Sequence, residues 1–220
     1  MQGAALQLVL GAAGHGGQEG GAVMTARRKI IVLIATSADG YICRPDGGVE
    51  WLERPRPKGN YGMSEFFSTI DTILWGRKTF EPLLKSGADP AKFGPKTKNY
   101  VFSHNPPAGP VRGAEFVSGP VEDFARRMRA RPGKHMWMMG GAGIIASFLD
   151  AGEIDEFIIH VVPIFIGEGI PLIAPRHRTA RLHLLDATTF PDGVVRLHYA
   201  VHRPDVAPPK PARPRRARES

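Results

Sequence analysis

The sequence predicts an α/β domain with a mixed, mostly parallel central sheet, helices packed on it, and an antiparallel hairpin at its C-terminal edge. Three observations predict this class. Continuous apolar, β-branched runs at Lys29–Thr36 and Glu156–Val162 have the character of strands buried on both faces. Segments of helical period alternate with such runs through the middle of the chain. Near the end, Arg181–Thr188 and Val194–His202 alternate in polarity and are joined at Pro191-Asp192-Gly193, the signature of an antiparallel pair. At 220 residues the chain is long enough for one well-packed domain and little more.

Residues 1–26 are rich in Gly and Ala and are expected to be a disordered extension, with Met24 a second candidate start. They lack the basic region and cleavage pattern of a secretory signal. The domain is expected over residues 27–203. Its first strand, Lys29–Thr36, leads into the turn Ser37–Ile42 and a Gly/Pro loop before Trp51. Tyr61–Thr69 reads as a short helix with Met63, Phe66 and Phe67 inward, followed by Ile70 on the same side. A strand ends at Gly76 and a helix opens on Arg77 and Lys78. Lys98–Ser103 and Ala114–Val117 read as strands. Pro120 suits the first turn of a helix through Arg131, with Val121, Phe124, Ala125 and Met128 inward. Residues 204–220 form a basic, Pro-rich tail expected to be disordered.

The chain is organised around His135–Leu149, HMWMMGGAGIIASFL. An apolar run meets Gly140, Gly141 and Gly143, then a segment whose Ile144, Ile145, Phe148 and Leu149 share one helical face. This is strand, tight turn, helix, and such a turn aims backbone N–H groups and a helix N-terminus at one point, which suits a phosphate. A close helix–strand crossing that needs small residues is the alternative. The spacing formally fits G-x-G-x-x-A, yet the next strand ends in Val161, Val162 and Pro163, not in the acid an ordinary dinucleotide fold uses to hold ribose. Arg77 and Lys78 make a second candidate. Two cations at a helix N-terminus oppose the macrodipole, by roughly 0.3–1 kcal/mol each, so a compensating anion or two solvated side chains must account for them. Ser103 and His104, at a third strand end, offer a hydroxyl and an imidazole.

Much chemistry is absent. There is no nucleophile elbow and no P-loop, and the eight histidines do not cluster at metal spacing, so no metal is expected. The single cysteine, Cys43, excludes an internal disulfide and fits a reducing cytoplasm. No apolar run approaches the roughly 20 residues of a membrane span, so no membrane partner is expected. The net charge of +8 points to nucleic acid only until it is located. Residues 203–220 hold six basic residues against two acids, which is half of the excess. Weak contact through that tail is the extent of nucleic-acid binding expected. Anion-binding turns without a nucleophile or metal favour a bound dinucleotide that supplies the chemistry.

Four motifs in order carry a resemblance: Ser37-x-Asp39-Gly40-x-Ile42, Leu74-x-Gly76-Arg77-x-Thr79, Met139-Gly-Gly-x-Gly143, and Pro163-x-x-x-Gly167-Glu-Gly-x-Pro171-Leu172. Over residues 28–202 the chain resembles the dihydrofolate reductase-like fold, and within it the C-terminal reductase domain of bacterial riboflavin biosynthesis proteins and its stand-alone relatives. The resemblance implies a single-domain, three-layer fold with helices on both sheet faces, and NADPH as hydride donor. It implies that Gly76, Arg77, Lys78 and Thr79 hold phosphates and that Ser103 and His104 meet the adenosine 2′-phosphate. Gly140, Gly141, Ala142 and Gly143 would cradle the pyrophosphate, with Ala35 and Ile42 flanking the nicotinamide. Trp51, Met63, Phe67, Met139 and His160 are the substrate-side candidates, and His160 is read equally as a core histidine. Met139 stands where the riboflavin-pathway reductases place a glutamate. The stretch Asn60–Phe67, where dihydrofolate reductases place a carboxylate facing the pterin, offers only Glu65.

The function expected is NADPH-dependent reduction of a small nitrogen heterocycle, of pteridine or aminopyrimidine type, nominally like 5-amino-6-(5-phosphoribosylamino)uracil reductase. Protonation would come from water or from Asp39 or Glu168. A homodimer is implied by the resemblance. The alternative is a non-catalytic nucleotide-binding module whose basic tail contacts RNA or an acidic partner.

Overall fold

The computed structural model describes residues 27–55, 57–87, 89, 90 and 97–202. Strand β1 (Ile30–Ser37) runs through the middle of the molecule. Its alternate residues feed two cores: Ile30 and Val32 enter one apolar cluster, Ile31 and Leu33 the other. A strand that is buried on both faces has no polar face to show, which explains its unbroken apolar run.

In chain order there follow β2 (Tyr41–Cys43), 3-10 turns at Glu50–Leu52 and Asn60–Gly62, α1 (Met63–Ser68), β3 (Ile70–Gly76) and α2 (Arg77–Lys85). Then come β4 (Lys98–Phe102), β5 (Glu115–Val117), α3 (Val121–Arg129), β6 (His135–Gly140), α4 (Ala142–Asp150) and β7 (Glu156–Val162). The chain closes with β8 (Ile170–Pro171), β9 (Leu182–Thr189) and β10 (Val195–Val201). Eight strands form one sheet in the order β5-β4-β3-β6-β1-β7-β10-β9. Neighbours from β5 to β7 are parallel, and β10 runs antiparallel to both β7 and β9. The expected hairpin is therefore present, with β10 inside and β9 at the edge.

The sheet is the middle of three layers. On one face α1 and α2 bury Phe66, Phe80 and Leu83 against Trp75 and Trp137. On the other, α3 and α4 bury Phe124, Met128, Ile145 and Phe148 against Leu74, Phe102 and Met138. Phe102 meets Phe124 and Phe148 edge to face, with centroids 4.9 and 5.1 Å apart, the preferred aromatic geometry.

Two local departures bear on the site. Helix α1 starts at Met63 and not at Tyr61, because Asn60 and Tyr61 lie in the left-handed region at φ 43° and 59°. A small second sheet pairs β2 with β8 in antiparallel fashion. Strands of three and two residues carry too little pattern to be read from sequence. The expectations for residues 1–26 and 204–220 lie outside the described residues.

Candidate active site

The carboxyl ends of β3, β6, β1 and β7 lie side by side, and a cleft of about 1380 Å³ opens across them. An open α/β sheet presents its ligand crevice at this place. One half of the cleft is built by two strand-to-helix turns. Gly76 ends β3 and caps α2; Gly141 follows β6 and caps α4. Neither helix has a side-chain N-cap, and neither carries an acid in its first turn. The turns press together: a Cβ on Gly76 would lie 3.4 Å from the Gly140 carbonyl oxygen and 3.4 Å from the Gly141 nitrogen. The Gly140–Gly141 peptide is cis.

In α4 the first N–H to find an intrahelical acceptor is that of Ile145, on the Gly141 carbonyl at 3.2 Å. The N–H groups before it are left for another partner. Gly143 lines the cleft, and a Cβ built there meets nothing within 4 Å. Two positive helix ends and an open cradle thus converge on one region, an arrangement that stabilises an anion.

Cations and hydroxyls flank it. Arg77 donates through Nε to Glu81 at 2.5 Å and through Nη1 to the Asn105 carbonyl at 3.1 Å. Lys78, Ser103 and His104 line the cleft beside it. The Ser103 hydroxyl oxygen accepts the Asn105 N–H at 3.1 Å, which leaves its own proton to donate.

The other half lies beyond β1. His160, in β7, pairs in register with Ala35 of β1 and with Arg196 of β10. The residue is 6% exposed, and its ring packs 5.7 Å from the Tyr61 ring. Burial, reinforced by the nearby Arg196, pushes its imidazole down to about 4, so it is neutral near pH 7. Tyr61 donates its hydroxyl to Asp192 at 2.6 Å, and Arg54 pairs with the same carboxylate at 3.3 Å. The left-handed backbone at Asn60 and Tyr61 costs about 1–3 kcal/mol per residue, strain of the kind that gathers at binding sites.

Of the residues singled out from sequence, Ala35, Ile42, Gly76, Arg77, Lys78, Thr79, Ser103, His104, Gly141, Ala142 and Gly143 line the cleft. Gly140 lies beneath its wall at φ 104°, where a Cβ would meet Ile145 at 3.3 Å. Met63, Met139 and His160 also line it. Trp51 and Phe67 are placed elsewhere: Trp51 is buried with Val162 and Val194, and Phe67 packs 5.4 Å from the Trp137 ring.

The two acids need correction. Neither Asp39 nor Glu168 is among the cleft-lining residues. Asp39 accepts the Ser37 hydroxyl at 2.5 Å and the N–H groups of Ile166 and Gly167 at 3.2 and 2.8 Å. These donors, the Ser37 hydroxyl chief among them, hold its carboxyl below the usual range. Asp39 is a clasp between the turn after β1 and the loop after β7, and Glu168 belongs to that loop. Arg54 and Tyr61 were missed. The signal for Tyr61 was Gly59-Asn60-Tyr61-Gly62, a turn between glycines that also reads as the start of a helix, and Arg54 carried none.

Other chemistry is limited. Cys43 is half-buried, and burial raises its thiol, which makes it a poor nucleophile. Among the described residues there is no His/Cys/Asp/Glu group that could hold a metal, and no helix long and apolar enough to cross a membrane.

Comparison with known proteins bears directly on this fold. The model of the RibD C-terminal domain family matches residues 120–196, from α3 into β10. Uncharacterized protein YwjB of Bacillus subtilis is 34% identical over 172 residues, covering 78% of this chain and 97% of that protein. The chain belongs to the RibD C-terminal domain family. This is a family of reductase-type domains, so the RibD-type domain described here has the scaffold of an oxidoreductase. A structure from Shewanella sp. PV-4, provisionally assigned to riboflavin biosynthesis, superimposes with a TM-score of 0.70 at 26% identity. It covers 80% of this chain and 99% of its own. Enterococcus faecalis dihydrofolate reductase, solved as a complex with NADP(H), shares the fold at a TM-score of 0.58 and 15% identity, over 80% of this chain and 98% of its own. The RibD-type domain thus has the dihydrofolate reductase-like fold expected from its motifs.

Proposed function

We propose that the protein is an NADPH-dependent reductase of a small, planar nitrogen heterocycle, of pteridine or aminopyrimidine type, related in chemistry to 5-amino-6-(5-phosphoribosylamino)uracil reductase. The convergence of two uncapped, acid-free helix N-termini on the open cradle at Gly143 carries this reading. The cradle is where a Cβ would intrude, and its donors are backbone N–H groups, so the residues present fit a pyrophosphate. The cleft also exceeds the roughly 300–1,000 Å³ of a single small-ligand pocket, which suits a cofactor and a substrate side by side. An NADP(H) complex within the same fold supports the cofactor class.

When bound, NADPH supplies a hydride from C4 of its nicotinamide. The α4 turn, from Gly141 to Gly143, would hold the pyrophosphate, with Gly76 and Thr79 completing the phosphate wall. Arg77, Lys78, Ser103 and His104 would meet the 2′-phosphate and so select NADPH over NADH. Ala35 and Ile42 would flank the nicotinamide, and Met63, Met139 and His160 the heterocycle. The rate gain from this chain is the orientation of cofactor and heterocycle against one another between apolar walls. With Asp39 committed to its clasp, the proton reaches the product from water at the open mouth. A cytoplasmic setting and a homodimer belong to the same proposal.

The test is the thermal unfolding midpoint with NADPH, with NADH and with neither, on wild type and Arg77→Ala. A ligand at 100 times its dissociation constant stabilises by about 2.7 kcal/mol. At this size each kcal/mol moves the midpoint by about 2–4 °C. The expected result is a shift with NADPH that is weak with NADH and reduced in the variant. No shift with either nucleotide would remove the cofactor and the reductase reading with it.

A further inference from the structure

The end of the cleft remote from the helix N-termini holds a buried hydrogen-bonding atom without a partner. His160 lines the cleft, is 6% exposed, and its Nε2 has no hydrogen-bond partner. The Tyr61 backbone beside the ring favours a protonated nitrogen, as a carbonyl acceptor does and an N–H donor does not. Since Nε2 is without a partner, the donor is Nδ1. The neutral ring therefore carries its proton on Nδ1 and leaves the Nε2 lone pair bare and buried in the cleft wall.

The surroundings keep it so. Arg196, its register partner on β10, spends its Nη2 on Asp186 and Thr188 of β9, at 3.2 and 3.1 Å. Tyr61 commits its hydroxyl to Asp192, and Phe190 offers a ring 6.3 Å away. On the other side stands Ala35, paired in register across β1. The acids that line the cleft are Asp46 and Glu81, and Glu81 is engaged by Arg77 in the other half. A lone pair in such a place costs free energy until a donor meets it.

We propose that His160 Nε2 is the substrate-recognition acceptor of this cleft, and that it reads a ring N–H on the edge of a neutral, lactam-type heterocycle lying against Ala35. The inference rests on the reductase reading, which places the substrate beside Ala35. A carboxylate here would select a cationic or amidinium edge; a neutral imidazole acceptor selects an uncharged N–H donor instead. His160 is then a specificity-determining residue.

The test uses the fluorescent bicycle lumazine and 1,3-dimethyllumazine, which has the same ring system and no N–H. Each is titrated into the full-length protein with and without NADPH, for wild type, His160→Leu and His160→Gln. Wild type is expected to prefer lumazine by about tenfold or more, the worth of one buried hydrogen bond. His160→Leu should bind both alike, and His160→Gln, which offers a carbonyl acceptor, should recover part of the preference. In wild type labelled with 15N-histidine, Nδ1 should carry the proton, and lumazine but not its dimethyl counterpart should move the Nε2 resonance. Absence of lumazine binding, equal affinity of wild type for the two, a preference that survives in His160→Leu, or a proton on Nε2 would each overturn the proposal. The NADPH midpoint shift of the same samples separates this from the reductase reading: its absence in wild type sinks that reading, whereas its retention in His160→Leu shows a folded, cofactor-competent variant.

Discussion

At the scale of single residues, burial decides which side chains can act. His160 titrates near 4 in the folded chain against 6.5 in an exposed chain, because desolvation and Arg196 oppose its charge. The unfolded state then binds more protons than the native state between those values. Stability is full above pH 6.5 and falls as pH drops toward 4, by roughly 3 kcal/mol for a shift of this size. His160→Leu is expected to flatten that slope in urea unfolding midpoints between pH 7 and 4.5. His135, lowered by burial and Lys29, leaves a smaller slope of the same sign. Below pH 4.5 another group governs: burial pushes Glu156 up, but His198 and Lys29 outweigh it and hold its carboxyl at about 2. An unchanged slope in His160→Leu would mean that the imidazole is hydrated in the native state. Asp39 makes the complementary case, since it reads as a proton donor in sequence and is a clasp in the fold. Asp39→Asn should raise amide hydrogen exchange at Ile166 and Gly167 while leaving the NADPH midpoint shift in place. A shift lost without faster exchange would return Asp39 to the site.

At the scale of elements, the α4 N-terminus offers a substitution with two opposed effects. Gly143 has no Cβ neighbour within 4 Å and lies inside a helix, so Gly143→Ala should stabilise the ligand-free protein by about 0.5–1 kcal/mol. The same methyl fills the cradle and should cut the NADPH midpoint shift by at least half. Differential scanning fluorimetry with and without NADPH reads both, and a stabilised variant with an undiminished shift would place the pyrophosphate elsewhere. The turn itself was legible in sequence because an apolar run breaking into Gly140, Gly141 and Gly143 is a strong local signal. The central strands were legible for the same reason: β1 and β7 are long, apolar and bounded by turn residues. What escaped was non-local or short. β2 and β8 find each other only through tertiary pairing. The left-handed Asn60 and Tyr61 are held in a conformation that residue propensity disfavours, so a helix start was the natural reading of that stretch. Trp51 and Phe67 could be assigned to the core or the cleft only once the sheet faces were known.

At the scale of the whole molecule, the two sheet edges are unlike. β5 is a three-residue strand that begins with Glu115, too short and too charged to recruit a neighbour. β9 has eight residues and contains neither Lys nor Pro, and its far side has no strand beside it among the described residues. Along it Leu182 and Leu184, two apart and so on one face, are 44% and 47% exposed. An isolated exposed leucine is ordinary, but two in a row on a long unpaired edge form the kind of surface that is usually covered. The homodimer proposed with the reductase function is expected to use this edge. Sedimentation velocity at micromolar concentration should give a dimer for wild type and mostly monomer for Leu184→Lys, which sets like charges against each other across a two-fold axis. The cleft lies at the ends of β3, β6, β1 and β7, all within one chain and away from β9, so the monomeric variant should keep its NADPH midpoint shift. A wild type that sediments as a monomer would remove the dimer. A Leu184→Lys variant that stays dimeric would move the interface to another face. Loss of the cofactor shift on dissociation would show instead that the cleft depends on the partner, in which case assembly at the sheet edge and binding at the strand ends are one coupled equilibrium.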